Sequence, residues 1–283
     1  MNMSCVACGG PLSLFGPRLG YEYHQCQSCR TIQIAPLPNE EELARAYARD
    51  YATAGHYGDS AAESDAAART FYQSIVSILK AHNVHGLVVD CGSGWGGLCQ
   101  MVQDNGFRCI GVDPSEEMAH HCQQRGLDVQ QGDLLDLQPS EPVAAIVLCT
   151  VFEHLVNHKA WLAHAHRMLA PGGLIVTLQP TAAFANFAGR LVRLGDVRKP
   201  LPAMHTVFGA PWHTVLFSLD GFKALAEHNG FFLQEIHPAP QSREGGSTGL
   251  LQVGLETVNR IGWFLAGNQW PLLIAHTFVL QKV

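Results

Sequence analysis

The stretch Leu87–Gly97, LVVDCGSGWGG, limits the possible folds of this chain more than any other. A short apolar run, Leu87-Val88-Val89, ends at Asp90, and glycines follow at 92, 94, 96 and 97 before a helix-compatible segment. This reads as a buried parallel strand passing through a tight turn into a helix. Glycine lets the backbone approach a ligand closely, and the first N–H groups of a helix have no partner within it. A nucleotide-like ligand is therefore expected at the turn, with a ligand-free glycine turn as the alternative. Gly92, Gly94 and Gly97 satisfy G-x-G-x-x-G, whereas Asp90 with Gly92, Gly94 and Gly96 satisfies D-x-G-x-G-x-G. A carboxylate at the strand end repels a pyrophosphate and suits a ligand that carries an ammonium or a sulfonium.

The chain of 283 residues has room for one large α/β domain and a small appendage. Its formal net charge of −6 provides no basic footprint, so no nucleic-acid partner is expected. No apolar run is long enough to span a bilayer. The start, Met1-Asn2-Met3-Ser4-Cys5, lacks a charged and apolar leader, so a cytoplasmic location is expected.

Four of the nine cysteines form Cys5-x-x-Cys8 and Cys26-x-x-Cys29, separated by 17 residues. Two-residue spacing lets both thiolates of a knuckle face one ion, and two knuckles close a tetrahedral shell. Residues 1–35 therefore read as a zinc ribbon with a structural ion. Leu12, Leu14, Tyr21 and Tyr23 alternate as in a short hairpin between the knuckles. With only Arg18, Arg30 and His24 against Glu22, the ribbon has too little charge to track phosphates and reads as a structural or substrate-gating module.

Residues 36–84 read as a helical linker or lid. Asn39 caps a helix with Glu40, Glu41 and Glu42 in its first turn. Tyr47, Tyr51 and Tyr57 either cover the core or help close a ligand site. Residues 61–82 have helical apolar spacing through Phe71, Ile75, Ile78 and Leu79.

From residue 85 onwards strands and helices alternate, which predicts a parallel sheet in a single domain covering 85–283. Strands are expected at 87–91, 107–112, 127–131, 143–150 and 174–179. Helices are expected at 98–105, 115–125 and 157–169, with Pro171-Gly172-Gly173 breaking the last. Asp113 closes the second strand 19 residues after Gly94, where a ribose diol would meet an acceptor. Asp133 closes the third and suits an adenine amino group, although Gly132-Asp133 is also ordinary turn chemistry.

Val89-Asp90-Cys91-Gly92-Ser93-Gly94-Trp95-Gly96 resembles the first motif of class I S-adenosylmethionine (SAM)-dependent methyltransferases. Gly111-Val112-Asp113-Pro114-Ser115 resembles their second-strand acidic motif, and Gln131-Gly132-Asp133 their third. Val151-Phe152-Glu153-His154-Leu155 and Leu169-Ala170-Pro171-Gly172-Gly173 are similar to segments of the ubiquinone-biosynthesis-like subgroup. The N-terminal knuckles with their Pro-Leu-Pro and tyrosine-rich continuation resemble a zinc-ribbon branch of it. Cys91, Ser93 and the bulky Trp95 depart from the usual motif.

The resemblance implies a doubly wound, mostly parallel seven-stranded Rossmann-like sheet. It also implies roles by position. Asp90, Gly92, Ser93 and Gly94 would hold the methionine part, with Trp95 shaping that end. Asp113 and Pro114 would meet the ribose, Asp133 and Leu134 the adenine, and Thr150 and Val151 would flank the sulfonium. The implied activity is methyl transfer from SAM to a small molecule, on oxygen or nitrogen. An RNA or protein methyltransferase with a recognising ribbon, a SAM-binding protein without turnover and a nicotinamide dehydrogenase are the alternatives.

Methyl transfer is an in-line displacement that mostly needs alignment. A hydroxyl acceptor also needs a base, a role suited to histidine. His154 and its neighbour Glu153, after the fourth strand, and His213, before a helix facing the same end, are the candidates. His205 sits in a substrate-side insertion at 181–212. His158, His164, His166 and the His120-His121 pair read as surface residues on helices. Residues 243–246 form a possible flap.

Overall fold

The computed structural model describes residues 3–18, 20–43, 45, 61–192, 208, 211–240 and 247–283. The central sheet contains β4 (Leu87–Cys91), β5 (Arg108–Asp113), β6 (Val129–Gln131), β7 (Val143–Cys149), β8 (Leu169–Pro180), β10 (Phe231–Pro238) and β11 (Ala275–Lys282). Their spatial order is β10-β11-β8-β7-β4-β5-β6. β4 pairs in parallel with both β5 and β7, while β11 is antiparallel to β8 and β10. The chain runs outward from β4 to β6 and then returns to β7, so the direction of winding reverses between β4 and β7. Ligands of open α/β sheets bind at such a reversal, beyond the strand carboxyl ends.

The central strands are apolar on both sides because both faces are covered. Val88, Ala145, Val147 and Val176 point to one face, under Ile75 and Leu79 of α1 (Ala61–Ala81) and Leu98 and Val102 of α2 (Gly97–Asp104). Val89, Ile146, Leu148 and Ile175 point to the other. There Phe152, Phe217, Phe222 and Phe278 join Trp161 of α4 (His158–Met168) and Leu225 of α6 (Leu219–His228). α3 (Glu116–Gln124) follows β5, and its cap is as expected, Ser115 Oγ accepting from Met118 N at 3.3 Å. α5 (Ala182–Val192) and α7 (Ser247–Ala266) flank the C-terminal strands.

The Pro-Gly-Gly turn differs from the expectation. α4 stops at Met168, and Leu169 already belongs to β8. Val143 pairs with Leu169 but Ala145 pairs with Leu174, so Ala170–Gly173 bulge out within the strand. Gly172, at φ 73°, supplies the left-handed residue that this bulge requires.

The N-terminal strands β1 (Leu12–Arg18), β2 (Tyr21–Cys26) and β3 (Ile32–Ile34) form the expected hairpin and a third strand. Their sheet continues into β9 (Val215–Leu216), which pairs antiparallel with β3. The knuckle residues Cys5, Ala7, Cys26 and Cys29 share one apolar cluster with Trp161 and Phe222. Asn39 forms a capping box with Glu42, each backbone N–H reaching the other side chain at 2.8 Å. The three linker tyrosines, His205 and residues 243–246 lie outside the described residues.

Candidate active site

The glycine turn expected to meet the cofactor is built around Gly92, where the backbone turns at φ 73°. A Cβ there would lie 2.5 Å from Val151 Cγ2, so only glycine lets the β4 and β7 ends approach this closely. Gly92 N and Ser93 N both donate to Val112 O, at 2.8 and 3.2 Å. Gly94 N donates to Asp113 Oδ2 at 2.8 Å and Ser115 N to Asp113 Oδ1 at 2.9 Å. The second-strand aspartate therefore ties the glycine turn to the next helix, and each carboxylate oxygen retains a lone pair for a ligand.

Asp90 is 1% exposed, and its Oδ2 has no hydrogen-bond partner among the described residues. Burial pushes its carboxyl up to about 7, with a smaller contribution from the Asp113 charge and opposition from a hydrogen bond to Cys99. Ser93 Oγ is also buried and unpartnered. Open space lies where a Gly94 Cβ would be. These orphaned polar atoms beside an open glycine fit the ammonium end of a SAM molecule.

The other predicted cofactor residues are more dispersed. Trp95 turns its ring edge-on to His121, 5.1 Å away, while Arg125 holds its carbonyl at 2.7 Å. Pro114 is exposed, Asp133 is exposed and Leu134 is buried. Asp133 Oδ1 already accepts from Leu135 N at 3.0 Å in a capping box with Asp136. Thr150 sits at φ 56° and donates to Cys149 O at 2.7 Å. Asp65 of α1 was not anticipated: with Tyr72 it packs directly over Gly97. Nothing in a helical periodicity marks which polar residue will meet a turn 32 residues downstream.

At the carboxyl end of β7 a single helical turn, Phe152–His154, carries Glu153 and His154. Glu153 is fully buried, and both of its carboxylate oxygens lack a hydrogen-bond partner among the described residues. Burial pushes its carboxyl up to about 8. His154 Nε2 lies 3.8 Å from Glu153 Oε1, and the His154 and His213 ring centroids are 5.1 Å apart. The structure therefore brings together the three predicted catalytic side chains. Thr214 fixes them, its N–H donating to Glu153 O at 2.9 Å and its hydroxyl lying 2.6 Å from Leu155 O. Ile34 N of the ribbon in turn donates to Thr214 O at 2.9 Å, and Tyr23 Oη lies 3.2 Å from His213 O. The ribbon thus braces the strip that carries His213.

His158 overturns the surface reading. It is 2% exposed, packs against Phe152 and Phe217, and holds Phe152 O at 3.0 Å. His121, His164 and His166 are half-buried as well. His276, not singled out in the sequence, is fully buried on β11 with Nδ1 2.8 Å from Thr181 Oγ1.

In the N-terminal sheet, the Sγ atoms of Cys5 and Cys29 are 3.7 Å apart and those of Cys8 and Cys26 3.5 Å. All four lie within 4.8 Å of one another. A tetrahedral zinc with Zn–S of about 2.3 Å places its sulfurs about 3.8 Å apart, which fits this cluster.

A family model described as a methyltransferase domain matches residues 64–236, more than half of the chain. The chain therefore belongs to the methyltransferase-domain family and is a SAM-dependent methyltransferase. A ubiquinone biosynthesis O-methyltransferase of Bradyrhizobium diazoefficiens is 28% identical over 59% of this chain and 68% of its own length. A probable S-adenosylmethionine-dependent methyltransferase of Mycolicibacterium smegmatis is 29% identical over 57% of this chain, which spans only 60% of that relative. Among solved structures, a Burkholderia thailandensis 1,6-didemethyltoxoflavin-N1-methyltransferase shares the fold at TM-score 0.55 and 15% identity, over 95% of this chain and 98% of its own. No described helix is long and apolar enough to cross a membrane.

Proposed function

We propose that this protein transfers the methyl group of SAM to a nucleophilic oxygen or nitrogen of a small molecule, at the junction of β4 and β7. The observation that carries this reading is the pairing of two buried carboxylates with unpartnered oxygens, Asp90 and Glu153, at the two strand ends where the sheet reverses. Asp90, Ser93 and the Gly92–Gly94 backbone hold the amino-acid end of the cofactor. Trp95 closes the turn behind it. Asp113, with Pro114 at its shoulder, takes the ribose hydroxyls, and Asp133 with Leu134 borders the adenine. Thr150 and Val151 flank the sulfonium, which supplies the methyl when bound. Glu153, His154 and His213 orient the acceptor and take up its proton. The name of the Bradyrhizobium relative supports an oxygen acceptor, and the net charge of −6 favours a small molecule over RNA.

Cys5, Cys8, Cys26 and Cys29 hold a structural zinc. A closed shell of four thiolates has no open position for chemistry, so the ion acts by fixing the ribbon against the strip around His213. No disulfide joins any of the nine cysteines among the described residues, which supports a reducing, cytoplasmic setting.

Calorimetry with SAM on the wild type and on Asp113→Ala tests the cofactor site. Loss of one charge-assisted partner at each ribose hydroxyl weakens binding by about 100-fold, with the circular dichroism unchanged. Equal affinity in the variant overturns the site. Release of S-adenosylhomocysteine over a panel of phenols, alcohols and amines tests turnover; release with none of them overturns the small-molecule reading.

A further inference from the structure

We propose that Gln179 and His276 form a recognition subsite for an uncharged carbonyl oxygen of the methyl acceptor, at the end of that molecule away from the atom that receives the methyl. The inference rests on the reading of the sheet's carboxyl edge as the place of transfer, and it goes further by naming a chemical group of the substrate.

The first argument is placement. β11 runs antiparallel to β8 with His276 opposite Gln179, so the start of β11 and the end of β8 meet at one edge of the sheet. β7 is parallel to β8, and this is therefore also the edge that carries Thr150 and the Phe152–His154 turn. Thr150 N donates to Leu178 O at 2.8 Å, which seats the end of β7 beside the residue that precedes Gln179. Neighbouring strands stand about 4.8 Å apart, so Gln179 and His276 lie about 5 and 10 Å across the sheet from β7. A small aromatic molecule spans that distance. Gln179 follows Ile175 by four residues and His276 precedes Phe278 by two, so both project from the face that holds Phe152.

The second argument is hydrogen-bond accounting. Both side chains are fully buried, and the Nε2 atom of each lacks a hydrogen-bond partner among the described residues. Gln179 Oε1 accepts from Thr177 Oγ1 at 3.4 Å, which assigns the unpartnered end as the amide NH2. Thr181 Oγ1 lies 2.8 Å from His276 Nδ1 and makes no other hydrogen bond among the described residues, so its proton goes to Nδ1. The ring's own proton then sits on Nε2. Two N–H donors thus stand on adjacent strands, directly opposite each other, with nothing to receive them. Buried donors without an acceptor are costly, and one oxygen between them can take both.

The third is charge. Burial pushes His276 down to about 4, so its ring is neutral near pH 7. Trp263 of α7 packs 5.5 Å from the imidazole and Phe278 6.2 Å from it, centroid to centroid. Two neutral donors in an aromatic wall suit a carbonyl. A carboxylate would be buried there without a cation beside it, at a far greater cost.

The assignment divides the labour at this edge. The Glu153 turn meets the reacting end of the acceptor, while Gln179 and His276 hold its far end. Fixing both ends aligns the nucleophile with the methyl group and the sulfur. A site built to hydrogen-bond a substrate oxygen also rejects the analogue that lacks it, because the site's own donors are then left unpaired.

The test uses the full-length chain with S-adenosylhomocysteine bound. It compares pairs that differ in a carbonyl: para-hydroxyacetophenone against para-ethylphenol, and para-aminoacetophenone against para-ethylaniline. Calorimetry and ligand-observed NMR measure binding, and nitrogen NMR of labelled histidine follows the ring of His276. The carbonyl member of each pair should bind more than about 30-fold tighter, and its addition should move the His276 Nε2 resonance. His276→Phe and Gln179→Met should each cut that preference by about tenfold, read as a ratio within one variant so that any general loss of affinity cancels. Equal binding in both pairs, as a water held between the donors would produce, overturns the subsite. So does binding of none of the four, or a preference undiminished in both folded variants. Tighter binding of para-hydroxybenzoate than of para-hydroxyacetophenone overturns the choice of an uncharged oxygen. If SAM and S-adenosylhomocysteine bind but the pairs show no preference, the transfer reading survives without the subsite; if neither cofactor binds, both fall together.

Discussion

The two halves of the proposed site, its cofactor end and its acceptor end, are assembled in opposite ways. At the cofactor end, Asp90, the glycine turn and Asp113 come from one β–α–β unit. Its hydrogen bonds run between close neighbours, Gly92 to Val112 and Gly94 to Asp113. At the acceptor end, Glu153 is positioned by Thr214, and Thr214 by Ile34 of the ribbon. His213 is braced by Tyr23. One half is a local motif; the other is a junction of three distant segments. The lesson is that the cofactor half should survive damage to the ribbon and the acceptor half should not.

Cys5→Ser is the strongest way to break that contrast. Loss of one thiolate should open the proposed zinc shell, and the ion should leave with much of the order of the N-terminal sheet. Because β3 pairs with β9, the damage reaches the strip that carries His213 and Thr214. Metal analysis should find the ribbon zinc gone and turnover lost by more than about tenfold, the usual minimum when a support is removed from a catalytic group. Calorimetric affinity for SAM should stay within about threefold, equivalent to about 0.7 kcal/mol. An equal loss of SAM binding would show that the two halves are one unit.

The same contrast explains what could be read from the chain. Strand β4, its glycine turn, Asp113, the Ser115 cap and the two knuckles are local patterns, and each is set by backbone chemistry within a few residues. Glu153 and His154 were visible as a segment, and His213 as a nearby candidate. Their convergence depends on β9, a two-residue strand of Val215 and Leu216 that exists only because β3 offers an edge. No periodicity signals so short a strand. His158 misled for a related reason. It opens α4, and helical position alone suggests exposure, yet the aromatic cluster of Phe152, Phe217 and Phe222 closes over that turn. The Pro-Gly-Gly bulge misled because the same residues that end a helix also fit a left-handed bulge inside a strand.

The buried histidines provide a second, smaller test, one of the packing beneath the acceptor half and along β11. Burial pushes His158 and His276 down to about 4, from an ordinary value of 6.5. The folded state therefore binds fewer protons than the unfolded chain between these values. The stability this confers is fully present above about pH 6.5 and is lost as pH falls toward 4. Each histidine accounts for about 2 kcal/mol of loss between pH 6.5 and 5, at about 1.36 kcal/mol per unit. Urea melts across this range should steepen accordingly, and His276→Gln should flatten the slope by about half if the two sites act independently. A slope unchanged in both His276→Gln and His158→Gln would mean that these rings charge in place.

Asp90 should behave with the opposite sign, and it sharpens the cofactor half. Its carboxyl is pushed up to about 7 by burial, whereas the unfolded value is near 3.8. Between these values the folded protein holds a proton that the unfolded chain has released, so this group's contribution to stability falls as pH rises toward 7. Binding of the ammonium of SAM reverses the preference, since a cation beside Asp90 favours the ionised form. Below about pH 7 the carboxyl must give up its proton when SAM binds, so affinity should drop by up to about tenfold per pH unit and level off above pH 7. Cys99 and Asp113 face the same carboxyl; the thiol is held far above this range, and burial raises the Asp113 carboxyl against the smaller opposing effect of its two backbone donors. Asp90→Asn should bind SAM more weakly at pH 8 and lose the pH dependence. A wild-type affinity flat from pH 6 to 8 would place the ammonium elsewhere, and the local half of the site would then need a different anchor from the residue that ends β4.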